Sequence, residues 1–318
     1  MPRACVLLLP YLIACVSSAD RPASAARDTL VVYGAASLTA PLRAAMDSFA
    51  ARSGGRTVVE EEHGASLELA RRITELGRVP DVIALADHEV FPELLMPGEL
   101  SWYATFARNR MVVAYTLESR RAAEAKTMDW RSLLLHDDVL VGRTDPVLAP
   151  AGYRALLVYA LAESFYKQPG LAARLAARTP AKQIRGNAAD LAALLAAGEL
   201  DYIVEYESLA RAQKFEFIAL PPEIDLSDAA HAASYRTASI RVAGGAGKDS
   251  VTRTGSPILY GVGVPRRASH GDVGVRFVAF LLSPAGRAIL RGANIDALDQ
   301  PLFNGDSVPA ALRSLAPP

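Results

Sequence analysis

Apolar and polar residues alternate along this chain in short runs that predict strands followed by helices. Leu30–Tyr33 is an apolar run of strand length, and it precedes an amphipathic segment over 39–52. A second strand at 58–61 precedes a helix over 67–77, and a third strand lies at 80–85. Strands that alternate with helices in this way are typical of α/β layers.

The same alternation continues to the C-terminal part of the chain. We predict strands at 111–116, 139–142, 200–206 and 257–264, helices at 89–95, 153–166, 188–197, 271–282 and directly after Ser283, and a hairpin or loop over 242–254. The runs at 111–116 and 257–264 are apolar enough to cross between two lobes. We therefore expect an α/β fold with one lobe formed by 29–110 plus 258–318 and another by 111–257. Each lobe is expected to be a mixed sheet flanked by helices, with a cleft between them, where ligands of open sheets bind.

Two short turns of small residues each open a predicted helix with a serine. The first is Gly-Ala-Ala-Ser-Leu at 34–38, and the second is His-Gly-Ala-Ser-Leu at 63–67. We predict that Ser37 and Ser66 lie at helix N-caps, where unpaired N–H groups and the positive end of the helix dipole meet. One such turn is an ordinary cap, but the pair predicts a pocket for a small anion.

The charge balance, the positions of the cysteines and the motifs argue against several classes of function. The chain has 34 Lys and Arg against 34 Asp and Glu, so it offers no basic field for nucleic acid. Its two cysteines are Cys5 and Cys15, so the chain after position 28 has no disulfide, no thiol nucleophile and no thiolate metal site. We find no Ser-His-Asp order, nucleophile elbow or nucleotide-phosphate loop, which favours a binding protein over an enzyme.

The first 28 residues have the pattern of a secretory signal followed by a tether. A basic start precedes an apolar stretch over 4–16 that is too short to cross a bilayer, and small polar residues follow. Leu-Ile-Ala-Cys at 12–15 resembles the lipobox of bacterial lipoproteins, which makes Cys15 the expected lipidation site. Ordinary cleavage near 23–25 is the alternative. We therefore expect an exported, periplasmic or cell-surface protein that touches a membrane only through this lipid.

A series of short motifs carries a resemblance to a known family. The motifs are Gly-Ala-Ala-Ser-Leu at 34–38, Gly-Ala-Ser at 64–66, Arg-Ile-Thr-Glu-Leu-Gly at 72–77, Asp-Val-Ile-Ala at 81–84, Trp-Tyr at 102–103, Phe-Ala-Arg-Asn at 106–109, Met-Val-Val-Ala-Tyr-Thr at 111–116, Asp-Pro at 145–146, Pro150, Gly-Tyr-Arg at 152–154, Leu-Leu-Ala-Ala-Gly-Glu-Leu-Asp-Tyr at 194–202, Glu-Tyr at 205–206 and Leu-Pro-Pro-Glu-Ile-Asp-Leu-Ser-Asp at 220–228. In this order and spacing, the chain resembles the substrate-binding proteins of ATP-binding-cassette importers for molybdate and tungstate, above all the archaeal-type tungstate branch. The resemblance covers nearly the whole chain after the signal. It implies a type II periplasmic-binding fold with two crossing strands as its hinge.

The resemblance also implies which residues hold the oxyanion. Ser37 and Ser66 would donate hydrogen bonds from the first lobe, with backbone N–H groups beside them. The second lobe would close on the ion with the loop at Ala149 and with Glu205 and Tyr206, and Glu205 would contact the metal atom of the ion. The backbone N–H groups concerned are those of Ala36, Ala65 and Ala86.

One position departs from the tungstate branch. Where that branch has Asp-Pro-Cys-Gly-Tyr-Arg, this chain has Ala-Pro-Ala-Gly-Tyr-Arg at 149–154, which is similar to the Val-Pro-Ala-Gly of tetrahedral molybdate binders. The second carboxylate of the branch is therefore missing at Ala149. Asp145 could replace it only if its loop is displaced.

Glu205 beside a dianion needs an explanation, because like charges repel. The carboxylate could bind the metal atom, could be protonated, or could face Arg154 or another cation. No lysine or arginine lies in the serine turns, and neutral donors suit a fully ionised dianion. Hydrogenphosphate would need an acceptor, and Glu205 keeps that possibility open.

The expected function is capture of tungstate or molybdate in the cleft and its delivery to a permease and an ATPase. A second possibility is a binding protein for sulfate, thiosulfate or phosphate. More distant ones are an enzyme on the same two-lobe scaffold and a subunit that senses the ion and signals. We expect a monomer without a cofactor and without a nucleic-acid partner.

Overall fold

The strands form two large mixed sheets and one small hairpin. The computed structural model describes residues 28–244 and 250–315, so Cys15 and the rest of the predicted signal before position 28 lie outside the described residues. The strands are β1 (Asp28–Ala35), β2 (Thr57–Gly64), β3 (Val82–Leu85), β4 (Trp102–Arg108), β5 (Met111–Tyr115), β6 (Val141–Thr144), β7 (Ile184–Arg185), β8 (Tyr202–Tyr206), β9 (Glu216–Ala219), β10 (Ser239–Val242), β11 (Val251–Thr254), β12 (Leu259–Gly263) and β13 (Asp296–Gly305).

Helices flank the two large sheets. They are α1 (Thr39–Arg52), α2 (Ser66–Leu76), α3 (Trp130–Leu134), α4 (Pro150–Phe165), α5 (Leu171–Ala177), α6 (Ala188–Ala196), α7 (Glu207–Ala212), α8 (Ala232–Tyr235), α9 (Gly271–Leu282), α10 (Pro284–Gly292) and α11 (Ala310–Arg313). Within the described part of the chain, no single helix is long and apolar enough to cross a membrane. The pair α9 and α10 passes that test only when joined, and it bends by 69°.

The six-stranded sheet has the order β13-β4-β12-β3-β1-β2. β1 is parallel to both of its neighbours, β2 and β3, and Gly34 lies opposite His63 on one side and Ala84 on the other. The carboxyl ends of these three strands therefore meet at one edge of the sheet, where parallel α/β sheets bind ligands. Leu30 and Val32 of β1 are buried, as expected for a parallel strand covered on its faces by helices.

The five-stranded sheet has the order β7-β6-β8-β5-β9. β6 is parallel to β7 and β8, whereas β5 runs antiparallel to β8 and β9. The carboxyl ends of β6 and β8, at Thr144 and Tyr206, lie at one edge of this sheet. Both large sheets are thus mixed and flanked by helices, which confirms the α/β prediction.

The chain passes between the two large sheets through short connections. It leaves β4 at Arg108 and enters β5 at Met111, and it returns into β12 through 255–258. The two connections are hydrogen-bonded, because the Asn109 N–H donates to the Ile258 carbonyl at 3.2 Å. The Ile258 N–H in turn donates to the Leu226 carbonyl at 2.8 Å. β5 and β12, the two predicted crossing strands, begin directly after these connections.

Two helices point their first turns at the space between the sheets. α2 begins one residue after Ala65 and ends before Gly77, whose φ of +65° suits a glycine C-cap. α4 begins at Pro150, and eleven of its residues are buried. It starts three residues earlier than predicted, because proline is favoured at the first position of a helix, where its missing N–H costs nothing.

Candidate functional site

A small cavity lies between the facing edges of the two large sheets. It is lined by Ala35, Ala36, Ser37, Gly64, Ala65, Ser66, Ala86, Thr144, Ala149, Pro150, Ala151, Ala188, Glu205 and Tyr206. These residues come from the carboxyl ends of β1, β2 and β3 in one sheet and of β6 and β8 in the other, and from the turns and helices that begin beside them. The cavity volume is about 20 Å³, whereas pockets for drug-sized ligands have volumes of roughly 300–1,000 Å³. The cavity therefore suits a compact ligand of a few atoms.

The structure brings the predicted contact residues together, with one exception. Ser37, Ser66, Ala86, Ala149, Glu205 and Tyr206 line the cavity, and so do Ala36 and Ala65. Asp145 does not. Its Oδ1 accepts a hydrogen bond from the Val147 N–H at 2.8 Å, and its carbonyl accepts one from Ala149 at 2.9 Å. Because the Asp145 carboxylate closes this turn, it does not replace the carboxylate missing at Ala149.

Neither serine caps a helix, so that prediction was wrong. Ser37 lies in the middle of a 3-10 turn over Ala36–Leu38, and Ser66 is the first residue of α2. The N-cap position of α2 belongs to Ala65, which continues the extended backbone one residue beyond the strand (φ −73°, ψ 135°). The serine hydroxyls are therefore free of capping bonds and take part in bonds across the site.

The Ser66 hydroxyl accepts a hydrogen bond from the Ala86 N–H at 3.0 Å. Ala86 was expected to offer this N–H to the ion, but here Ser66 receives it. A hydroxyl that accepts from one side keeps its own hydrogen for another partner. Because the Ala86 N–H is used by Ser66, the Ser66 hydroxyl is the group that can donate to a ligand at this corner of the cavity.

Two buried side-chain atoms at the cavity have no hydrogen-bond partner among the described residues. They are Oε2 of Glu205 and Oγ1 of Thr144. Both side chains are fully buried, and a buried polar atom without a partner is costly. The pairing of β6 with β8, continued by two residues, places Thr144 beside Glu205. The two atoms thus mark one wall of the cavity as a place for polar contacts with a ligand.

Sequence reasoning missed Thr144. Thr144 belongs to none of the motifs, whereas its neighbour Asp145 lies in the Asp-Pro pair at 145–146. The signal that could have found it is its place at the carboxyl end of a strand parallel to the one that carries Glu205, where side chains of open sheets contact ligands.

Burial raises the pKa of Glu205 to about 8, although the Tyr206 N–H and Arg154 act in the opposite direction. The Tyr206 N–H donates to Oε1 of Glu205 at 3.0 Å. At neutral pH the carboxyl group is therefore mostly protonated before a ligand binds. Arg154 forms no hydrogen bond with Glu205, so Arg154 is not the cation that the Glu205 carboxylate was expected to face.

Arg154 instead links the two sides of the cavity. This buried side chain of α4 donates from Nη1 to the Ala86 carbonyl at 2.7 Å and to the Tyr206 hydroxyl at 2.6 Å. Its Nη2 lies 3.2 Å from Oδ1 of the buried Asp87. Burial opposes its charge, but Asp87 and Tyr206 outweigh burial and raise the pKa of Arg154. Because the Tyr206 oxygen accepts from Arg154, its hydrogen remains available to a ligand.

The first turn of α4 supplies the last wall. The Ala149 N–H donates to Asp145 and Pro150 has no N–H, so Ala151 carries the first backbone N–H of the helix without a partner among the described residues. No acidic residue lies in this turn of the 16-residue helix. The end of its dipole at the cavity therefore favours a negative ligand.

Comparison with known proteins shows the family of this chain. A family model described as bacterial extracellular solute-binding protein matches residues 30–293. The chain belongs to this family. It is 38% identical over 272 residues to an uncharacterized solute-binding protein of Petrotoga mobilis, covering 86% of this chain and 84% of that one. It is 31% identical over 339 residues to the molybdate/tungstate-binding protein WtpA of Thermococcus kodakarensis, covering 98% and 94%.

Solved structures identify the fold of this solute-binding protein. The periplasmic molybdate-binding protein of Azotobacter vinelandii superposes with a TM-score of 0.57 at 17% identity, covering 84% of this chain and 98% of that one. The fold is that of type II periplasmic binding proteins, with two lobes of mixed sheets flanked by helices, as predicted.

Proposed function

We propose that this protein captures molybdate or tungstate in the cavity and delivers the ion to the permease of an ATP-binding-cassette importer. The observation that carries the proposal is the convergence of hydroxyl donors and two unpartnered buried atoms at the facing strand ends of the two large sheets. The names of the Thermococcus and Azotobacter proteins support this choice of ion.

The donors suit a fully ionised dianion. Ser66 and Tyr206 each accept a hydrogen bond from the protein, so each has a hydrogen left for an oxo group. The α4 dipole adds fixed positive potential, and the buried Arg154 close to the cavity is paired with Asp87. Such a site stabilises negative charge through neutral groups, which hold their geometry when water is excluded.

Glu205 is proposed to contact the metal atom of the ion. With alanine at 149 and Asp145 outside the cavity, the second carboxylate of the tungstate branch has no counterpart here. We therefore propose that Glu205 supplies the one carboxylate contact. Sulfur in sulfate has no open coordination position, so this contact would favour molybdate and tungstate.

Closure of two lobes is proposed to trap the ion. One lobe consists of 29–110 plus 258–318 and contains the six-stranded sheet, and the other consists of 111–257. Contacts between them surround the cavity, and one joins the Leu67 N–H to the Leu148 carbonyl at 3.1 Å. Together with the Arg154–Asp87 pair, these contacts make the shape of the ligand cavity depend on how the two lobes are placed.

The cellular setting is also part of the proposal. The protein would act outside the cytoplasm as a monomer that binds and does not catalyse, and its lipid would be attached at Cys15. Mass spectrometry of the membrane fraction tests the anchor. A mature chain that begins with lipidated Cys15 is expected, and a start beyond Cys15 would contradict the anchor.

Calorimetric titration with tungstate, molybdate, sulfate and phosphate tests the ligand. We expect one tungstate or molybdate per chain and at least hundredfold weaker binding of the other two. Ser66→Ala should weaken molybdate binding by roughly tenfold, because it removes a hydrogen bond to a charged group. Ser239→Ala, at an exposed serine of the hairpin, is the matched control and should change nothing. Absence of binding, or equal binding of sulfate, would overturn the proposal.

A further inference from the structure

A line of side-chain hydrogen bonds leads from Ser37 away from the cavity. The Ser37 hydroxyl lies 3.2 Å from the Tyr260 hydroxyl. Nδ2 of Asn109 donates to the same Tyr260 oxygen at 2.8 Å and to the Ser208 hydroxyl at 2.7 Å. Asn109 lies in the connection between β4 and β5, whereas Tyr260 lies in β12. The line therefore joins the ligand cavity to the connections between the two lobes.

The backbone determines which way the Asn109 amide faces. Its Oδ1 accepts hydrogen bonds from the N–H groups of Arg110 at 2.9 Å and Ser208 at 3.4 Å. A backbone N–H can only donate, so the oxygen must face these two groups and the NH₂ group must face Tyr260. The Tyr260 oxygen is therefore an acceptor at this contact.

Tyr260 then has one hydrogen to donate. Its side chain is fully buried, and burial raises the pKa of Tyr260, so the hydroxyl keeps its proton and needs a protein acceptor. Ser208 is the other hydroxyl nearby, and it bonds to Asn109 but forms no direct hydrogen bond with Tyr260 within the described part of the chain. The acceptor for Tyr260 is Ser37, which lines the cavity. Ser37 must then turn its own hydrogen toward the ligand.

We propose that Asn109 and Tyr260 are positioning residues that hold Ser37 as a hydrogen-bond donor, so that this corner of the cavity accepts only a ligand oxygen that carries no proton. This inference rests on the proposed function. Neither residue touches the ligand, and both act through the polarity of one hydroxyl. We call the three side chains the Asn109–Tyr260–Ser37 relay.

A double-mutant cycle read by calorimetric titration with molybdate at pH 7 tests the relay. Tyr260→Phe removes the donor and keeps the ring, so it should weaken binding by about fivefold to tenfold. In the Ser37→Ala background the same change should have no effect, because the hydroxyl it orients is absent. Tyr235→Phe is the matched control. It removes another buried tyrosine hydroxyl, which donates to the Pro222 carbonyl, and it should leave binding unchanged.

Asn109→Asp provides a second test, in which Tyr260→Phe should change the molybdate affinity in the opposite direction. An aspartate oxygen in place of Nδ2 accepts from Tyr260, which draws the Ser37 hydrogen toward Tyr260 and weakens binding. In the Asn109→Asp background, Tyr260→Phe should therefore strengthen binding, because it releases Ser37. The added charge is the same in both members of this comparison. Thermal unfolding of each variant shows that it is folded.

The outcomes separate the relay from the function. If the unmodified protein binds no molybdate, the proposed function fails. If it binds, and Tyr260→Phe has the same effect with serine or alanine at 37 and with asparagine or aspartate at 109, the relay is overturned. The relay is supported if Tyr260→Phe weakens molybdate binding with serine at 37 but has no effect with alanine at 37, and if it strengthens binding with aspartate at 109.

Discussion

At the scale of single residues, two buried polar atoms beside one cavity distinguish this site. Oγ1 of Thr144 and Oε2 of Glu205 have no partner among the described residues, and both belong to adjacent parallel strands. A protein gains no stability from such atoms, since each costs about 1–3 kcal/mol of desolvation without a compensating bond. A ligand that bonds to them would recover this free energy on binding.

Replacing Thr144 by valine should therefore separate binding from stability. Thr144→Val keeps the shape and removes the unpartnered hydroxyl, so the protein without ligand should be as stable as before or more stable. Molybdate affinity should fall roughly tenfold. Calorimetric titration and chemical unfolding measure the two quantities. Thr179→Val is the control, because the Thr179 hydroxyl accepts from Arg143 and donates to Ala176 away from the cavity, and it should cost stability only.

Binding should release a proton from Glu205. The carboxyl has a pKa of about 8 before the ion binds and must be ionised to contact a metal atom. The bound state then holds fewer protons, so affinity should rise close to tenfold per pH unit from 6 to 7 and level off above 8. Calorimetry in buffers of different ionisation enthalpy should count nearly one proton released at pH 7.

Glu205→Gln should abolish this proton release and should weaken the binding of tungstate far more than the binding of sulfate. Binding without proton release would rule out the metal contact.

Sequence reasoning found most residues of the candidate site but not their partners. Ser37 and Ser66 could be predicted because their turns are local signals, and Glu205 could be predicted because the family resemblance points to its position. The partners of Arg154 and Ser37 are Asp87 and Tyr260, which are far away along the chain. Sequence periodicity cannot predict such pairs, because the two partners come together only in the folded arrangement of the two sheets.

At the scale of elements, the ends of parallel strands and the start of α4 build the cavity. The α4 start lies against the last residues of β6, and Gly152 makes this approach possible. A Cβ atom at Gly152 would lie 2.5 Å from the Thr144 carbonyl oxygen and 2.7 Å from that of Asp145. Since backbone atoms cannot turn aside as side chains do, the distance between α4 and β6 depends on this glycine.

Gly152→Ala should consequently push α4 away from β6. The Ala151 N–H and Arg154 would shift with the helix, so we expect at least a tenfold loss of molybdate affinity and a destabilisation of roughly 1–3 kcal/mol. Gly186→Ala is the matched control, because its Cβ would meet nothing closer than 3.5 Å. Titration and thermal unfolding compare the two variants. Equal behaviour of both would show that helix position does not matter for binding.

Elements with strong local signals could be predicted, and those without them could not. α1 and α9 begin and end at the predicted residues, and β10 pairs with β11 as a hairpin. β4 was missed because it is buried along nearly its whole length and shows no alternation. β13 was missed because it is polar and contains Pro301, which is tolerated on an edge strand such as this one.

At the scale of the whole molecule, Arg154 joins the ligand cavity to the position of the lobes. It belongs to α4, whereas Ala86 and Asp87 follow β3 in the other sheet. The same guanidinium holds Tyr206 at the cavity. One buried side chain therefore both links the two large sheets and holds Tyr206 at the cavity.

Arg154→Met should uncouple closure from binding. The change leaves Asp87 buried without its cation, and breaking a buried pair in this way costs about 3–5 kcal/mol, which opening of the lobes relieves by exposing Asp87 to water. In small-angle X-ray scattering, molybdate should reduce the radius of gyration of the unmodified protein and not that of the variant. Arg120→Met breaks the Arg120–Asp201 pair within one lobe and is the control. Normal compaction of Arg154→Met would show that closure does not need this side chain.

We propose that the cavity between the two sheet edges binds a heavy oxyanion. The most direct test is a crystal structure of the protein with tungstate, with the tungsten atom located by its anomalous scattering. We expect one peak in this cavity, with oxo groups within hydrogen-bond distance of the Ser37 and Ser66 hydroxyls and with Glu205 facing the metal. A tungsten peak elsewhere on the molecule, or one in the cavity that both serines fail to reach, would show that the cavity is not the oxyanion site proposed here.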